Sequence, residues 1–286
     1  MGCSSSMNAS ISPTLTVSFV LYNTPLDEVR RSINQVTQSI SDAQIILIDN
    51  SPRPNPLPKL SSLVEVIRPG RNLGYGAGHN LALKRNLKSV YHAVLNTDLV
   101  YDSHTLPKLL EFMDDNESVG LSMPLIRYPD GALQTVCRLL PDPIDVFARG
   151  FFPNTKWAAE RNRRYEFRDW HYGSIADFPF LSGCFMLLRR SVMAEVGGFD
   201  ERFFMYGEDA DLSRRIHAVA RTTFVPHVTA VHDYRSQSLG YRRVFTKTIN
   251  LARYFNKWGW FFDQERQRMN LAAIRGLSAA AQRERQ

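Results

Sequence analysis

The sequence predicts an α/β fold built on a doubly wound, mostly parallel sheet. Short apolar runs and helix-like stretches alternate four times over about 100 residues, the pattern of successive βαβ units. The apolar runs are near-continuous, as strands covered on both faces are. Two of them end in polar groups, Asp49-Asn50 and Asn96-Thr97-Asp98, at the carboxyl ends of strands where such sheets bind ligands.

Leu15 to Tyr22, rich in Val and Phe, reads as the first buried strand. Asn23-Thr24-Pro25 then caps a helix over Leu26 to Ile40. Gln44 to Ile48 is the second strand, and the proline-rich stretch Ser51 to Pro58 is a loop. Val64 to Ile67 is the third strand. Gly74, Gly76 and Gly78 open a helix that runs through Leu87. Tyr91 to Leu95 is the fourth strand, and Ser103 caps a helix to Asp114. Further on, Val119 to Leu125 and Phe180 to Leu188 read as strands, Ser191 to Val196 as a short helix, and Asp209 to Ala220 as an amphipathic helix. Thr223 to Val225 and Thr229 to His232 are two short strands. Pro141 to Ile175 is aromatic and basic without a clear period and reads as loops near a site. From Tyr241 the chain is helical, with Phe255, Trp258, Trp260, Phe261 and Phe262 set among Arg and Lys.

Composition narrows the function classes. No apolar run approaches the roughly 18 residues that span a bilayer. Residues 1–12 are small and polar, unlike a secretory signal, and are expected to be a disordered leader; Met7 offers a second start. Met1-Gly2-Cys3-Ser4-Ser5-Ser6 formally fits a myristoylation pattern. Cys3, Cys137 and Cys184 show no paired spacing, which argues against a disulfide framework or a zinc site and for a reducing, cytoplasmic compartment. The formal net charge of +7 and pI near 9.4 suit phosphorylated or anionic partners. Basic residues gather in Arg161 to Arg168 and towards the C-terminus. No nucleic-acid motif accompanies them, so lipid headgroups or phosphates are the expected partners, and a merely solvated basic face is the alternative.

Four constellations carry chemistry. In Asn96-Thr97-Asp98, a carboxylate after a strand can bind a hard divalent cation that neutralises a diphosphate; such an Asp also serves as a turn residue. In Phe203 to Leu212, Glu208, Asp209 and Asp211 lie within four residues. Their mutual repulsion is costly unless a cation or a reaction uses it, although acids also suit a helix start. His232 follows an apolar run and can ligate a metal or serve structure. Arg71 to Asn80 has closely spaced glycines that let backbone approach a phosphate. Its spacing is not that of a dinucleotide fingerprint, and it follows the third strand rather than the first, so a nicotinamide cofactor is rejected.

Taken in order, these segments resemble the glycosyltransferase family 2 enzymes of GT-A fold, and among them the bacterial rhamnosyltransferases that build O-antigen and related surface polysaccharides. The resemblance runs from about Leu15 to about Tyr254. It is most specific in Phe180 to Arg190, Val196 to Glu201 and Phe203 to Arg215, with matches at Asp49-Asn50-Ser51 and Asn72 to Gly76. It implies a GT-A catalytic domain over residues 13–240, Rossmann-like and mostly parallel, with an acceptor-side extension and a C-terminal helical, amphipathic extension over 241–286.

The resemblance also implies roles. Asp98 matches the last acid of the family's Asp-x-Asp motif and would bind Mg²⁺ or Mn²⁺, with His232 as the late metal ligand. Asn96 stands at the first acid's place, and Thr97 stands where this branch usually has Pro. Asp209 matches the catalytic base. Asp49, Asn50, Asn72, Gly74, Asn80, Asn96 and Asp98 match the nucleotide-sugar side. Asp177, Gly183, Glu208 and Asp211, with Trp170, His171 and Tyr172, are candidates for the acceptor side, and Arg214 and Arg215 are expected to pair with the acids one helical turn away. The implied activity is inverting transfer of a sugar, in the first place from dTDP-L-rhamnose and otherwise from UDP-galactofuranose, UDP-galactose or another hexose donor, to a saccharide or lipid-linked acceptor. The C-terminal segment is expected either to rest on the cytoplasmic face of the inner membrane or to pack onto the catalytic domain. The rival classes are an inactive nucleotide-binding scaffold and a nucleotidyltransferase; the latter lacks its basic glycine-rich first loop at Asn23-Thr24-Pro25.

Overall fold

The computed structural model describes residues 15–53, 57, 61–85, 88–233 and 241–283. The leader over 1–12 and the myristoylation pattern lie outside them, as does Leu87. In chain order the elements are β1 (Leu15–Leu21), α1 (Leu26–Ser39), β2 (Gln44–Asp49), β3 (Val64–Ile67), α2 (Tyr75–Leu83), β4 (Tyr91–Leu95), β5 (Leu99–Tyr101), α3 (Thr105–Asp115), β6 (Val119–Arg127), β7 (Cys137–Arg138), α4 (Pro143–Phe151), α5 (Lys156–Tyr165), β8 (Ala176–Asp177), β9 (Phe180–Leu181), β10 (Phe185–Arg189), α6 (Arg190–Val196), α7 (Glu208–Val219), β11 (Arg221–His232), α8 (Tyr241–Trp258) and α9 (Gln264–Arg283).

The main sheet has the order β3-β2-β1-β4-β10-β6-β11-β5, with β8 added on β11. β3, β2, β1 and β4 are parallel, as are β6 and β11, while β10 runs antiparallel between β4 and β6. Leu15, Val17 and Phe19 on β1, and Ile45 and Leu47 on β2, are buried with Val29 and Ile33 of α1. On the other face of β1, Ser18 meets His79 of α2. A Cβ on Gly120 would sit 2.8 Å from Ala220 and 3.1 Å from Ile216, so glycine on β6 lets α7 lie close to the sheet.

The structure departs from the sequence reading where local signals were weak. Phe180 to Leu188 is not one strand: β9 pairs with β7 in a small second sheet, and β10 joins the main sheet after a break at Ser182-Gly183-Cys184. The two short strands near the end are one, β11, with a register shift between Val225 and Thr229; Pro226, which lacks an N–H, lies in that shift. Pro141 to Ile175 holds two helices, α4 and α5, capped by Asp142 and Thr155 side chains. Ser103 does not cap α3, whose N-cap is His104; Asp102 instead accepts from the His104 N–H. The helix opened by the glycines stops at Leu83.

Much of the C-terminal apolar face is used in packing. Tyr254 and Phe255 are buried with Leu140, Phe180 and Phe203, and Met269 joins the same cluster. Phe255 and Trp258 therefore pack with Leu140, Phe180 and Phe203 rather than facing a membrane, which corrects that expectation for these two rings. Asn270 clasps the Leu140 backbone, accepting from its N–H at 2.8 Å and donating to its C=O at 3.1 Å. Arg214 does not turn to the acids of its own helix: it makes a two-pronged bond to Asp263 at 2.6 and 2.7 Å. Arg215 does pair with Asp211, at 2.8 Å. No helix among the described residues is long and apolar enough to cross a membrane.

Candidate active site

Four chain segments meet at the carboxyl end of the sheet. β4 ends at Leu95, and β10 begins opposite it in antiparallel register, Leu95 facing Phe185. The Asn96 N–H donates to the Cys184 carbonyl at 2.9 Å, which sets Gly183-Cys184 beside Asn96-Thr97-Asp98. β5 then runs back along β11 with Leu99 opposite His232, and the Asp233 N–H donates to the Asp98 carbonyl at 2.9 Å. That short pairing brings Asp98 Oδ1 to 3.1 Å from His232 Nε2. The fourth segment is the start of α7, where the Gly183 N–H donates to Asp209 Oδ2 at 3.2 Å.

Around His232 the polar groups converge. Asn96 Nδ2 lies 3.3 Å from Nε2, and Gln134 Oε1 lies 3.0 Å from Nδ1. Burial pushes the imidazole down, but the Asp98 carboxylate and the Cys184 thiol outweigh it and hold it up at about 10. A carbonyl oxygen on Nδ1 demands a proton there; without a cation Nε2 is protonated towards Asp98 as well, and a metal bound beside Asp98 would take the place of that second proton. Two hard or borderline ligands side by side fit Mg²⁺ or Mn²⁺ held jointly with a diphosphate, the usual arrangement for a cation that binds through one or two protein groups and substrate oxygens. Among the described residues no three His, Cys, Asp or Glu side chains gather into a metal site, so the protein alone builds no closed cage there. Thr97, the departure from the family pattern, fastens this turn to α1: its hydroxyl donates to Glu28 and its carbonyl accepts from Ser32 Oγ at 3.0 Å.

The three acids of α7 part ways. Asp209 is partly exposed and takes N–H bonds from Gly183 and Ala210. Glu208 is buried, and burial first, with the neighbouring Asp209 charge second, pushes its carboxyl well up. Asp211 is fully buried and bonded to Arg215, Lys257 and the Trp258 indole; this takes it out of the acceptor-facing set. The loop before the helix is bent sharply, with Tyr206 at φ +70° and Gly207 at φ +105°. Gly183 stays in the site, because a Cβ there would come 3.2 Å from Asp209 Cβ.

Asp49 ends β2 and Asn50 follows it, next to β1 and its neighbour β4. Both are buried, and Asp49 Oδ2 and Asn50 Oδ1 have no hydrogen-bond partner. Such atoms demand an explanation, and a bound ligand is one. Asn50 donates to the Gly74 carbonyl and Asn72 accepts from the Gly74 N–H. Gly74 has φ +87°, and a Cβ there would sit 2.0 Å from the Phe204 carbonyl oxygen, so the loop is locked to the segment that leads into α7.

Several expectations are corrected by the geometry. Asn80 does not face the nucleotide side: its amide clasps the Phe199 backbone in both directions, at 2.8 and 2.9 Å, and reaches Glu201. Asp177 lies on β8 opposite Thr223, paired with Arg221; Thr223 is nine positions before His232 on β11, on the order of 20 Å away at the rise of a β-strand once the register shift is allowed for. Trp170 and Tyr172 pack against Phe178 and Phe224 in the core. Three contributors escaped the sequence reading. Gln134 sits in an irregular stretch with no periodic signal. Tyr75 donates its hydroxyl proton to Gly183 O at 2.7 Å or Asn96 Oδ1 at 2.9 Å, and burial pushes that phenol well up, keeping it a donor. Cys184 was read only for its spacing.

The family model described as "Glycosyl transferase family 2" matches residues 16–197. The chain belongs to glycosyl transferase family 2. Among its relatives, the transferase is 31% identical over 193 residues to an N-acetylglucosaminyl-diphospho-decaprenol L-rhamnosyltransferase of Mycobacterium tuberculosis, covering 62% of this chain and 61% of that one. It is 28% identical over 170 residues to the rhamnosyltransferase WbbL of Escherichia coli K12, covering 56% and 60%. The chain thus spans about three fifths of the length of the curated relatives it matches. Its fold is the GT-A fold: it superposes on GalNAc-T7, solved with UDP, GalNAc and Mn²⁺, with a TM-score of 0.59 at 16% identity over 86% of this chain and 49% of that one. It also superposes on the mannosyltransferase PcManGT of Pyrobaculum calidifontis, solved with GDP-Man and Mn²⁺, with a TM-score of 0.55 at 16% identity over 95% and 74%.

Proposed function

We propose that this member of the family is a cation-assisted, inverting glycosyltransferase that moves L-rhamnose from dTDP-L-rhamnose to a saccharide or lipid-linked saccharide in cell-surface polysaccharide synthesis. The observation that carries the transfer reading is the meeting of Asp98, His232 and Asn96 with Gly183 and Asp209 at one end of the sheet. The rhamnosyl donor is supported by the names of both relatives. A lipid-linked acceptor, met at the cytoplasmic face of the inner membrane, is supported by the diphospho-decaprenol in one of those names.

In this reading Asp209 takes the proton of the acceptor hydroxyl while that oxygen attacks the anomeric carbon. The bond from that carbon to the diphosphate breaks, and the nucleoside diphosphate leaves with the electron pair. Asp209 suits this role because the Gly183 N–H fixes one of its oxygens while the side chain stays partly exposed. Glu208, pushed towards its neutral form, leaves the local negative charge to Asp209. Asp98 and His232 would hold Mg²⁺ or Mn²⁺, whose chemistry is to neutralise the departing diphosphate. Asn72, Gly74, Asp49 and Asn50 would line the nucleotide.

The test is a thermal-shift series with dTDP-L-rhamnose, UDP-galactofuranose and UDP-galactose, each with and without Mn²⁺. A rise in midpoint confined to dTDP-L-rhamnose and enlarged by Mn²⁺ is the expected result. A rise confined to a UDP sugar assigns the donor to galactose or galactofuranose, and no response to any nucleotide sugar overturns the transferase reading.

A further inference from the structure

The hairpin of α4 and α5 carries an apolar surface that the fold does not use. On α4, Ala148 is buried, yet Ile144, Phe147 and Phe151 are 43%, 49% and 73% exposed. Phe152 and Trp157 continue the strip at 45% and 46% exposed. The rings form one chain: Phe147 to Phe151 at 4.8 Å, Phe147 to Phe152 at 5.7 Å, and Phe152 to Trp157 at 6.2 Å between centroids. Single exposed aromatics are ordinary, but four in mutual contact mark an interaction surface.

The surroundings of the strip are basic. From Pro143 to Tyr165 the hairpin has five basic residues, Arg149, Lys156, Arg161, Arg163 and Arg164, against two acids, Asp145 and Glu160; Arg161 pairs with Asp145, Arg163 with Asp169 at 3.3 Å and Arg168 with Glu166 at 2.6 Å, and the excess is positive. Beside the rings is a cavity of about 560 Å³ whose wall includes Arg149, Asn162, Arg163, Arg168 and Asp169. Arg149 lies over the Tyr165 ring at 4.2 Å, which holds its guanidinium in place on that wall.

We infer that the α4–α5 hairpin docks the enzyme on an anionic phospholipid bilayer, with Phe147, Phe151, Phe152 and Trp157 entering the interface and the arginine-lined cavity facing lipid phosphates. Phe and Trp side chains ringed by Arg and Lys are the pattern of an interfacial element, and the positive sign complements an anionic leaflet. The turn between α8 and α9 also exposes Phe261 and Phe262, but the ring contact found there joins Phe255 to Trp260.

The hairpin is tied to the reaction side of the molecule. The Tyr165 carbonyl accepts from the Leu139 N–H at 3.0 Å. Cys137 and Arg138 pair with Leu181 and Phe180, and the chain from Leu181 reaches the Gly183 N–H that holds Asp209. Docking here would set the acceptor side of the cleft against the bilayer. That consequence rests on the lipid-linked acceptor proposed above; the docking itself does not.

The test is sedimentation of the full chain with vesicles of phosphatidylcholine alone and of phosphatidylcholine with phosphatidylglycerol, at low and high salt. Binding to the anionic vesicles that weakens with salt is expected. Phe147→Ser/Phe151→Ser should abolish it, and Arg163→Ala/Arg168→Ala should weaken it by about thirtyfold, the scale of two lost basic contacts. Circular dichroism checks that each variant is folded, and Phe261→Ser/Phe262→Ser should bind as the parent does. The inference is overturned if the parent ignores anionic vesicles, if folded hairpin variants bind undiminished, or if only the Phe261/Phe262 variant loses binding. A dimer that the hairpin substitutions dissociate, without vesicle binding, would also overturn it by assigning the strip to a second copy of the chain. Vesicle binding with no sugar transfer from any donor would leave this inference standing and remove the transferase reading alone.

Discussion

Single residues divide the chemistry. Asp209→Asn removes a base and keeps the shape, so the variant should keep its melting midpoint yet lose about a hundredfold or more in turnover, measured as nucleoside diphosphate release. Gln134 acts through His232, fixing the proton on Nδ1. Gln134→Leu is therefore expected to weaken Mn²⁺ binding in the presence of the nucleoside diphosphate by about 10- to 100-fold, read by calorimetric titration. The place of Asp98 after a strand was legible from the α/β pattern, whereas Asp209 and His232 were joined to it through the resemblance to the family. Gln134 was not legible, since a side chain that works only through another leaves no mark in its own neighbourhood. Asn80 misled for a related reason: it lies in a glycine-rich segment that the resemblance assigned to the nucleotide, but the one turn of helix from Gly76 to Asn80 points its amide at Phe199 instead.

At the scale of elements, β1, α2 and β4 share a buried chain of polar groups. His79 Nδ1 meets Ser18 Oγ at 2.7 Å, Ser18 meets His92 Nε2 at 2.8 Å, and His92 Nδ1 meets Thr16 Oγ1 at 2.7 Å. His79 Nε2 has no hydrogen-bond partner. An unpaired lone pair costs less than an unpaired N–H, which places the His79 proton on Nδ1 and orients the whole chain. Burial lowers His79 to about 3 and His92 well below its usual value. The native state thus keeps these rings neutral, while the unfolded chain protonates them near 6.5. Between about pH 6.5 and 3 the unfolded state holds more protons, so stability falls as pH falls. Melting curves should show this, and His79→Gln should flatten the slope. The Gly74→Ala variant belongs here too. A Cβ 2.0 Å from the Phe204 carbonyl must displace the α7 approach loop, at a cost of about 2 kcal/mol or more, seen as a lower urea midpoint. The parallel half of the sheet was readable because its strands are near-continuous apolar runs separated by helix and turn signals. The split at Ser182-Gly183 and the short β5 were not, because they are defined by partners distant in sequence rather than by local pattern.

At the scale of the molecule, the C-terminal helices hold α7 through buried charge. Arg214 and Asp263 are 2% and 3% exposed, and Trp258 lies under the guanidinium at 4.0 Å. Asp263→Ala leaves that buried cation with only the half-exposed Glu265 at 3.1 Å and is expected to destabilise the protein by about 2–4 kcal/mol in urea titration, whereas Arg214→Met/Asp263→Leu should recover most of the loss. The amphipathic character of this region was plain in the sequence. Which surface it covers was not, since Arg214 also had nearer acids to choose from, and only the fold brings Asp263 to it.

Asp211, two residues beyond the proposed base, is held by Lys257 and Trp258 at the far end of α8. A chain cut before those positions would leave that carboxylate, two residues from the proposed base, with Arg215 alone. Such a truncation would present as a dead enzyme with every cleft residue intact, and tail length would be mistaken for chemistry.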